Sequence, residues 1–123
     1  MLLAGTDMLP WPGAGLHEEL RLFVEAGLSP LAALQTATWN SARALGWDGH
    51  TGTIAVGLDA DLVLLDADPL QDITNTTRIW AVVRAGRVLD RATLDRLLAV
   101  GGTARSHRRL RRGRGGTAAE QSR

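Results

Sequence analysis

The sequence contains no cysteine, no lysine and no tyrosine. Without cysteine the chain can form neither a disulfide nor a thiolate metal site, and thiol catalysis is excluded. Without lysine it can supply neither a Schiff base nor a carbamylated bridge between metal ions. No apolar run reaches the ~20 residues that a membrane-spanning helix needs. No basic region followed by an apolar stretch marks a signal peptide. These absences predict a cytoplasmic location and no membrane partner.

The 123 residues suffice for one domain but are too few for a complete enzyme built on a large barrel. The net charge of +1 is unevenly distributed, because seven of the fourteen arginines follow Val100. The segment after Gly102 is rich in Arg, Gly, Ser and Thr and nearly free of large apolar side chains. Such a composition predicts a disordered tail.

Two helices are predicted in the first third of the chain, and they are expected to pack as a helical hairpin. The first runs from Leu16 to Ala26 and ends at Gly27. The second is capped by Ser29, has Pro30 at its first position and ends at Gly46. The apolar face of the first helix consists of Leu16, Leu20, Phe23 and Val24. The apolar stripe of the second consists of Leu31, Leu34, Thr38, Ala42 and Leu45.

Strand patterns occur at both ends of this helical region. The opening letters MLLAGTD predict the end of a buried strand that leads into a loop. After Trp47 the pattern has period two, and it predicts a short strand within GHTGTIAVG. The apolar run from Leu62 to Leu65 predicts a strand that is covered on both faces.

A hairpin is predicted from Ile79–Arg84 and Arg87–Leu89, with Ala85-Gly86 at the turn. Because alanine disfavours a positive φ, the turn is predicted to be type II with Gly86 at its second central position. A final helix is predicted from Arg91 to Val100. Four aspartates that flank the Leu62–Leu65 strand are interpreted as turn residues rather than as an acidic site: Asp59, Asp61, Asp66 and Asp68.

Four stretches resemble, in order, the C-terminal portion of the amidohydrolase superfamily, and most closely its imidazolonepropionase-like and prolidase-like members. They are LLAGTD, GLHEELRLFVEAGLSPLAALQTATWNSARALG, TGTIAVGLDADLVLLDADPLQDI and AVVRAGRVL. The resemblance implies an α+β fragment of a larger fold. Residues 1–46 match the last strand and closing helices of a (β/α)8 barrel. Residues 47–100 match part of a small β-sandwich with a final helix, and residues 101–123 form the disordered Arg/Gly-rich tail.

Asp7 is the main candidate for a catalytic residue. In the family, the matching Asp contacts the metal and accepts a proton from the water that attacks the substrate carbonyl. Apart from the resemblance, an Asp after a strand is more often a turn or capping residue. His17 has two interpretations: a polar residue on a helix edge, which is favoured, or a group that contacts the substrate or a catalytic residue in an assembled barrel.

The rest of the family's metal site is missing from the sequence. That site also needs a His-x-His pair, a Lys or Glu bridge and two further histidines, whereas this chain has three scattered histidines. One carboxylate cannot hold zinc, which normally has three or four protein ligands. The resemblance implies that the complete enzyme uses a divalent metal, with zinc as the expected ion. Because this chain lacks the other ligands, it alone is expected to hold no metal and to be inactive.

The resemblance predicts hydrolysis of a non-peptide C–N bond, or of a dipeptide or lactone-type bond, in a small-molecule substrate. The missing N-terminal barrel portion is the expected partner. A different class of function is a small non-catalytic module whose basic tail binds polyanions. Nucleic acid is not an expected partner, because no aromatic residue interleaves the arginines to stack on bases.

Overall fold

The computed structural model describes residues 1–7 and 14–99. The chain divides into two compact units, Met1–Asp90 and Arg91–Arg123. The elements of the first unit are α1 (Ala14–Glu25), α2 (Pro30–Ala37), α3 (Trp39–Ala44), β1 (Leu62–Leu65), a 3-10 helix (Ile73–Thr77), β2 (Ile79–Arg84) and β3 (Arg87–Leu89). Residues 91–99 of the second unit form a helix, α4. Within the described ranges, no helix is both long enough and apolar enough to cross a membrane.

The predicted tail, residues 101–123, lies outside the described residues, and its disorder stays a prediction. The division of the first hundred residues at Gly46 into barrel and sandwich portions also stays a prediction.

The predicted start of α2 is confirmed. The Ser29 hydroxyl accepts a hydrogen bond from the Ala32 backbone N–H at 3.2 Å, and Pro30 occupies the first turn. Gly27 adopts a φ of 105°, a conformation that side chains disfavour, and so lets α1 end just before α2 begins. Strong local signals therefore produce the helical hairpin.

The core of the first unit forms where α1 and α2 meet the 3-10 helix. Its buried members are Leu20, Ala33 and Ile73. Five partly buried side chains pack against them: Leu16, Phe23, Val24, Leu34 and Ala37. The predicted apolar face of α1 is confirmed.

The predicted stripe of the second helix is partly wrong. Ala42 is buried, but Leu31 is 54% exposed and Leu45 is 65% exposed. A break at Thr38, where φ is −124° and ψ is −94°, divides the one predicted helix into α2 and α3. Within α2, before the break, the buried positions are Ala33 and Thr36 instead of Leu31.

The loop after α3 closes tightly over this break. Gly52 has a φ of 98°, and a Cβ at this position would lie 2.5 Å from the Ala42 Cβ and 3.2 Å from the Thr38 carbonyl oxygen. A side chain at Gly52 would therefore displace the loop from the α2–α3 junction.

The sheet is antiparallel in the order β1-β2-β3, with Leu62 opposite Val83 and Val82 opposite Leu89. The predicted hairpin is confirmed. The predicted strands in residues 1–7 and within GHTGTIAVG are not formed, because no neighbouring strand of the described chain pairs with them. The prediction that β1 is covered on both faces is also wrong here, since Val63 is 58% exposed.

The hairpin turn differs from the predicted type II. Both central residues have positive φ, 49° at Ala85 and 76° at Gly86, as a type I′ turn requires. Asp61 compensates the strain at Ala85: it accepts a hydrogen bond from the Ala85 N–H at 2.6 Å and forms an ion pair with Arg84. The Gly86 N–H donates to the Ala60 carbonyl at 3.1 Å.

Replacing Ala85 with Asn is expected to raise the free energy of unfolding by about 1 kcal/mol, because a left-handed conformation costs alanine roughly that much and Asn tolerates it. Urea denaturation measures the change. Ala55→Asn is the matched control, an exposed alanine whose φ is not positive, and it should give no gain. An equal response at both positions would contradict the strain at Ala85.

Candidate active site

The opening segment, Met1–Asp7, is held against the helices by backbone hydrogen bonds. The Asn40 side-chain amide on α3 donates to the Leu2 carbonyl at 3.0 Å. The Ala4 N–H donates to the Thr36 carbonyl at 3.1 Å. The segment is therefore fixed in place although it belongs to no sheet.

The break at Thr38 makes the second of these bonds possible. In an uninterrupted α-helix, the Thr36 carbonyl would accept from the N–H four residues later, that of Asn40. Here it accepts from Ala4 and from the Ser41 hydroxyl, at 2.7 Å. The broken helix thus presents a buried carbonyl group to the opening segment.

A third bond joins the segment to α1. The Gly5 N–H donates to Oε1 of Glu19 at 2.9 Å. The other carboxylate oxygen of Glu19, Oε2, is buried and has no hydrogen-bond partner among the residues that the structure describes. Three helices therefore each contribute one group that binds the opening segment.

Asp7, the predicted catalytic residue, lies two positions after Gly5 and is exposed. Its φ is 43°, a left-handed conformation that non-glycine residues rarely adopt and that Asp tolerates better than most. Strained backbone of this kind is concentrated at functional sites. The geometry leaves the Asp7 carboxylate accessible to a ligand, and its catalytic role stays a prediction.

His17 contacts the 3-10 helix rather than the opening segment. Its Nδ1 lies 3.1 Å from the hydroxyl oxygen of Thr76, and that hydroxyl lies 2.9 Å from the Ile73 carbonyl. A threonine hydroxyl has one proton. Because the carbonyl can only accept, Thr76 donates to Ile73 and His17 donates from Nδ1. The neutral ring then carries its lone pair on Nε2.

The N-terminus of the 3-10 helix is capped by Asp72. Its carboxylate accepts from the Thr74 N–H at 2.9 Å, and this bond lowers the pKa of Asp72 below its ordinary value. The cap fixes the element that carries Thr76, and so fixes the partner of His17.

A groove of about 650 Å³ lies between the three helices and β1. Its lining is mostly apolar and includes Leu20, Leu34 and Leu62, with His17 among the polar groups. His17 therefore reaches this groove in addition to binding Thr76.

The interpretation of the aspartates around β1 as turn residues is confirmed for Asp68, whose carboxylate accepts from the Leu70 N–H at 2.8 Å. Asp61 instead binds the distant turn at Ala85.

A sequence model of the amidohydrolase family matches residues 3–89. This chain belongs to the amidohydrolase family. Imidazolonepropionase from Rubrobacter xylanophilus is 41% identical over 66 residues, which cover 51% of this chain and 16% of that enzyme. The 5-methylthioadenosine/S-adenosylhomocysteine deaminase of Acetivibrio thermocellus is 30% identical over 122 aligned positions, which cover 87% of this chain and 26% of that protein.

A solved Xaa-Pro dipeptidase with methionine bound in its active site superimposes with a TM-score of 0.66 at 28% identity. The match covers 72% of this chain and 22% of the dipeptidase. The resemblance to imidazolonepropionase-like and prolidase-like amidohydrolases is thereby confirmed. The chain spans only between 16% and 26% of the length of these three relatives.

Amidohydrolases are generally metal-dependent, but the described residues do not fit a metal ion by themselves. Within residues 1–7 and 14–99, no group of three or more His, Cys, Asp or Glu side chains is arranged to hold one. Asp7 could contribute one oxygen ligand, and His17 Nδ1 is already bound to Thr76. A complete metal site would need ligands from another polypeptide segment.

The residues that hold the opening segment were missed by the sequence analysis. Glu19 had a signal: it lies three residues after Leu16 and four before Phe23, at the edge of the predicted apolar face of α1. A carboxylate at such a position needs a hydrogen-bond partner. Thr36 and Asn40 had no comparable signal, because their roles depend on the break at Thr38.

Proposed function

We propose that this chain supplies the C-terminal part of a metal-dependent amidohydrolase, which hydrolyses a C–N bond other than a peptide bond, or a dipeptide or lactone-type bond. The observation that supports this most is Asp7, which follows a segment bound by three helices and lies inside the range that the family model matches. By their names, one relative acts on 5-methylthioadenosine and S-adenosylhomocysteine, and another on Xaa-Pro dipeptides.

We place residues 1–46 at the end of the (β/α)8 barrel and residues 47–100 in the β-sandwich. The opening segment would be the last barrel strand, and it would form backbone hydrogen bonds to a neighbouring strand once that strand is present.

Two further observations support the proposal that part of the barrel is missing from this chain. The sheet exposes apolar side chains on both faces: Val63 and Trp80 on one face, Leu64 and Val88 on the other. The apolar groove beside β1 is open.

The missing N-terminal barrel portion is the proposed partner. It would provide the remaining ligands for a divalent metal, with zinc as the expected ion, and most of the pocket for a small-molecule substrate. Asp7 would supply one carboxylate, which accepts a proton from the water that attacks the substrate carbonyl. His17 would stay bound to Thr76 where it lines the groove.

Coexpression tests this proposal. The DNA upstream of Met1 is sequenced, and a polypeptide with a His-x-His pair that it encodes is coexpressed with the chain. We expect the complex to bind zinc stoichiometrically and to hydrolyse amide or dipeptide substrates, while the chain alone does neither. Turnover by the chain alone, or an upstream region that encodes no such polypeptide in any frame, would contradict the proposal.

The alternative, a polyanion-binding module, depends on arginines that lie outside the described residues. Family membership favours the hydrolase. Salt-sensitive retention of the chain on heparin, lost when the tail after Gly101 is removed, would favour the alternative.

A further inference from the structure

We infer that Glu19 is a positioning residue for Asp7; the inference rests on the function proposed above. Of the three bonds described above, the bond from the Gly5 N–H to Glu19 is the nearest in sequence to Asp7. The bonds at Leu2 and Ala4 fix the start of the segment. The Glu19 bond holds Gly5, two residues before the left-handed conformation of Asp7.

The surroundings of Glu19 on α1 support a role other than packing. Glu19 lies beside Leu20, which is buried in the core, and its Oε2 atom is itself buried without a partner in the described part of the chain. A buried carboxylate oxygen without a partner costs stability, and an apolar side chain would pack here at no such cost. The buried Oε2 atom is therefore unfavourable for packing, and the bond that Glu19 makes to the opening segment is the one from the Gly5 N–H.

The neighbouring Glu18 provides a matched control. It is one residue away on the same helix, is exposed, and pairs with Arg21 at 2.6 Å instead of with the opening segment. If Asp7 responded only to the negative charge on α1, removing either glutamate would have the same effect on Asp7. If the Gly5 contact matters, only Glu19 affects Asp7.

Nuclear magnetic resonance of the full chain tests the contact without any enzymatic activity. In Glu19→Ala, we expect the Gly5 amide proton to move upfield and exchange faster with solvent, and the Asp7 Cα signal, which reports its φ, to shift. Glu19→Gln retains an acceptor oxygen and should restore most of both signals, because a neutral acceptor is weaker than a carboxylate. Glu18→Ala should change neither signal.

The inference is overturned if the Asp7 signal is the same in wild type and Glu19→Ala. It is also overturned if Glu18→Ala and Glu19→Ala shift the Asp7 signal alike. Rescue by Glu19→Gln separates the hydrogen bond from a general loss of folding, since a purely destabilising substitution would not restore the Gly5 signal selectively.

Enzyme kinetics of the reconstituted complex provide a second test of the role of Glu19. A misplaced catalytic group can lower turnover about 100-fold, so Glu19→Ala should lower kcat by about tenfold to 100-fold and leave KM nearly unchanged. Glu19→Gln should recover most of kcat, and an unchanged kcat in Glu19→Ala would overturn the inference. If the complex with the wild-type chain shows no turnover, the proposed function fails, and the resonance data alone decide whether Glu19 orients Asp7.

Discussion

Asp7→Asn is expected to lower kcat/KM of the reconstituted enzyme by about 100-fold to 10,000-fold, the usual contribution of a positioned general base. The amide has nearly the same shape as the carboxylate, but it does not accept a proton at neutral pH. Asn also tolerates the positive φ that Asp7 adopts. The backbone should therefore keep its conformation, so that the loss reports chemistry rather than folding.

Steady-state kinetics and thermal unfolding of the same preparations separate these two effects. Asp48→Asn is the matched control, because Asp48 is an exposed carboxylate in the same unit. It should leave both kcat/KM and the unfolding midpoint unchanged. A loss smaller than about threefold in Asp7→Asn, against the 100-fold expected of a general base, would remove Asp7 from the catalytic site. An equal loss in the control would attribute the effect to surface charge.

Elements with strong local signals were predictable from the sequence. Ser29-Pro30 specifies the start of α2 through a side-chain cap and a preset φ. The two apolar runs around Ala85-Gly86 specify the hairpin and its register. The type of turn was mispredicted because Ala85 is intrinsically unfavourable at positive φ. Its conformation is stabilised by Asp61, which is 24 residues away in the sequence.

Features that depend on distant contacts were not predictable from the sequence. The break at Thr38 interrupts a favourable helical pattern, and it is accompanied by bonds from Ala4 and Ser41 to the Thr36 carbonyl. The opening segment has the pattern of a buried strand, but a strand requires a partner for its backbone groups. Within the described residues the helices satisfy some of these groups instead.

In the candidate site, too, some residues could be predicted from the sequence and others depend on distant contacts. Asp7 was found through the family resemblance, and its residue type alone would have indicated a turn. The positions that hold the segment before Asp7 come from three different helices. Only Glu19 could have been suspected, since a carboxylate at the edge of the apolar face of α1 conflicts with burial unless it has a partner.

Leu20→Ala is expected to lower the free energy of unfolding by about 2–5 kcal/mol, the range for leucine truncation in a packed core. Leu20 is 3% exposed, and among the described residues only Ile73 is a comparably large buried hydrophobic side chain. Since small domains are stable by only about 5–15 kcal/mol, this single change would remove much of the stability of the first unit. Tryptophan fluorescence during urea denaturation measures it.

Leu22→Ala is the control for this prediction, because Leu22 lies on the same helix and is 49% exposed. It removes the same atoms from a surface position, so it should cost less than about 1 kcal/mol. If the two substitutions cost the same, α1 does not pack through Leu20 in solution. The contact from Glu19 to Gly5 would then lose its support as well, because the packing of Leu20 holds the part of α1 from which Glu19 reaches the opening segment.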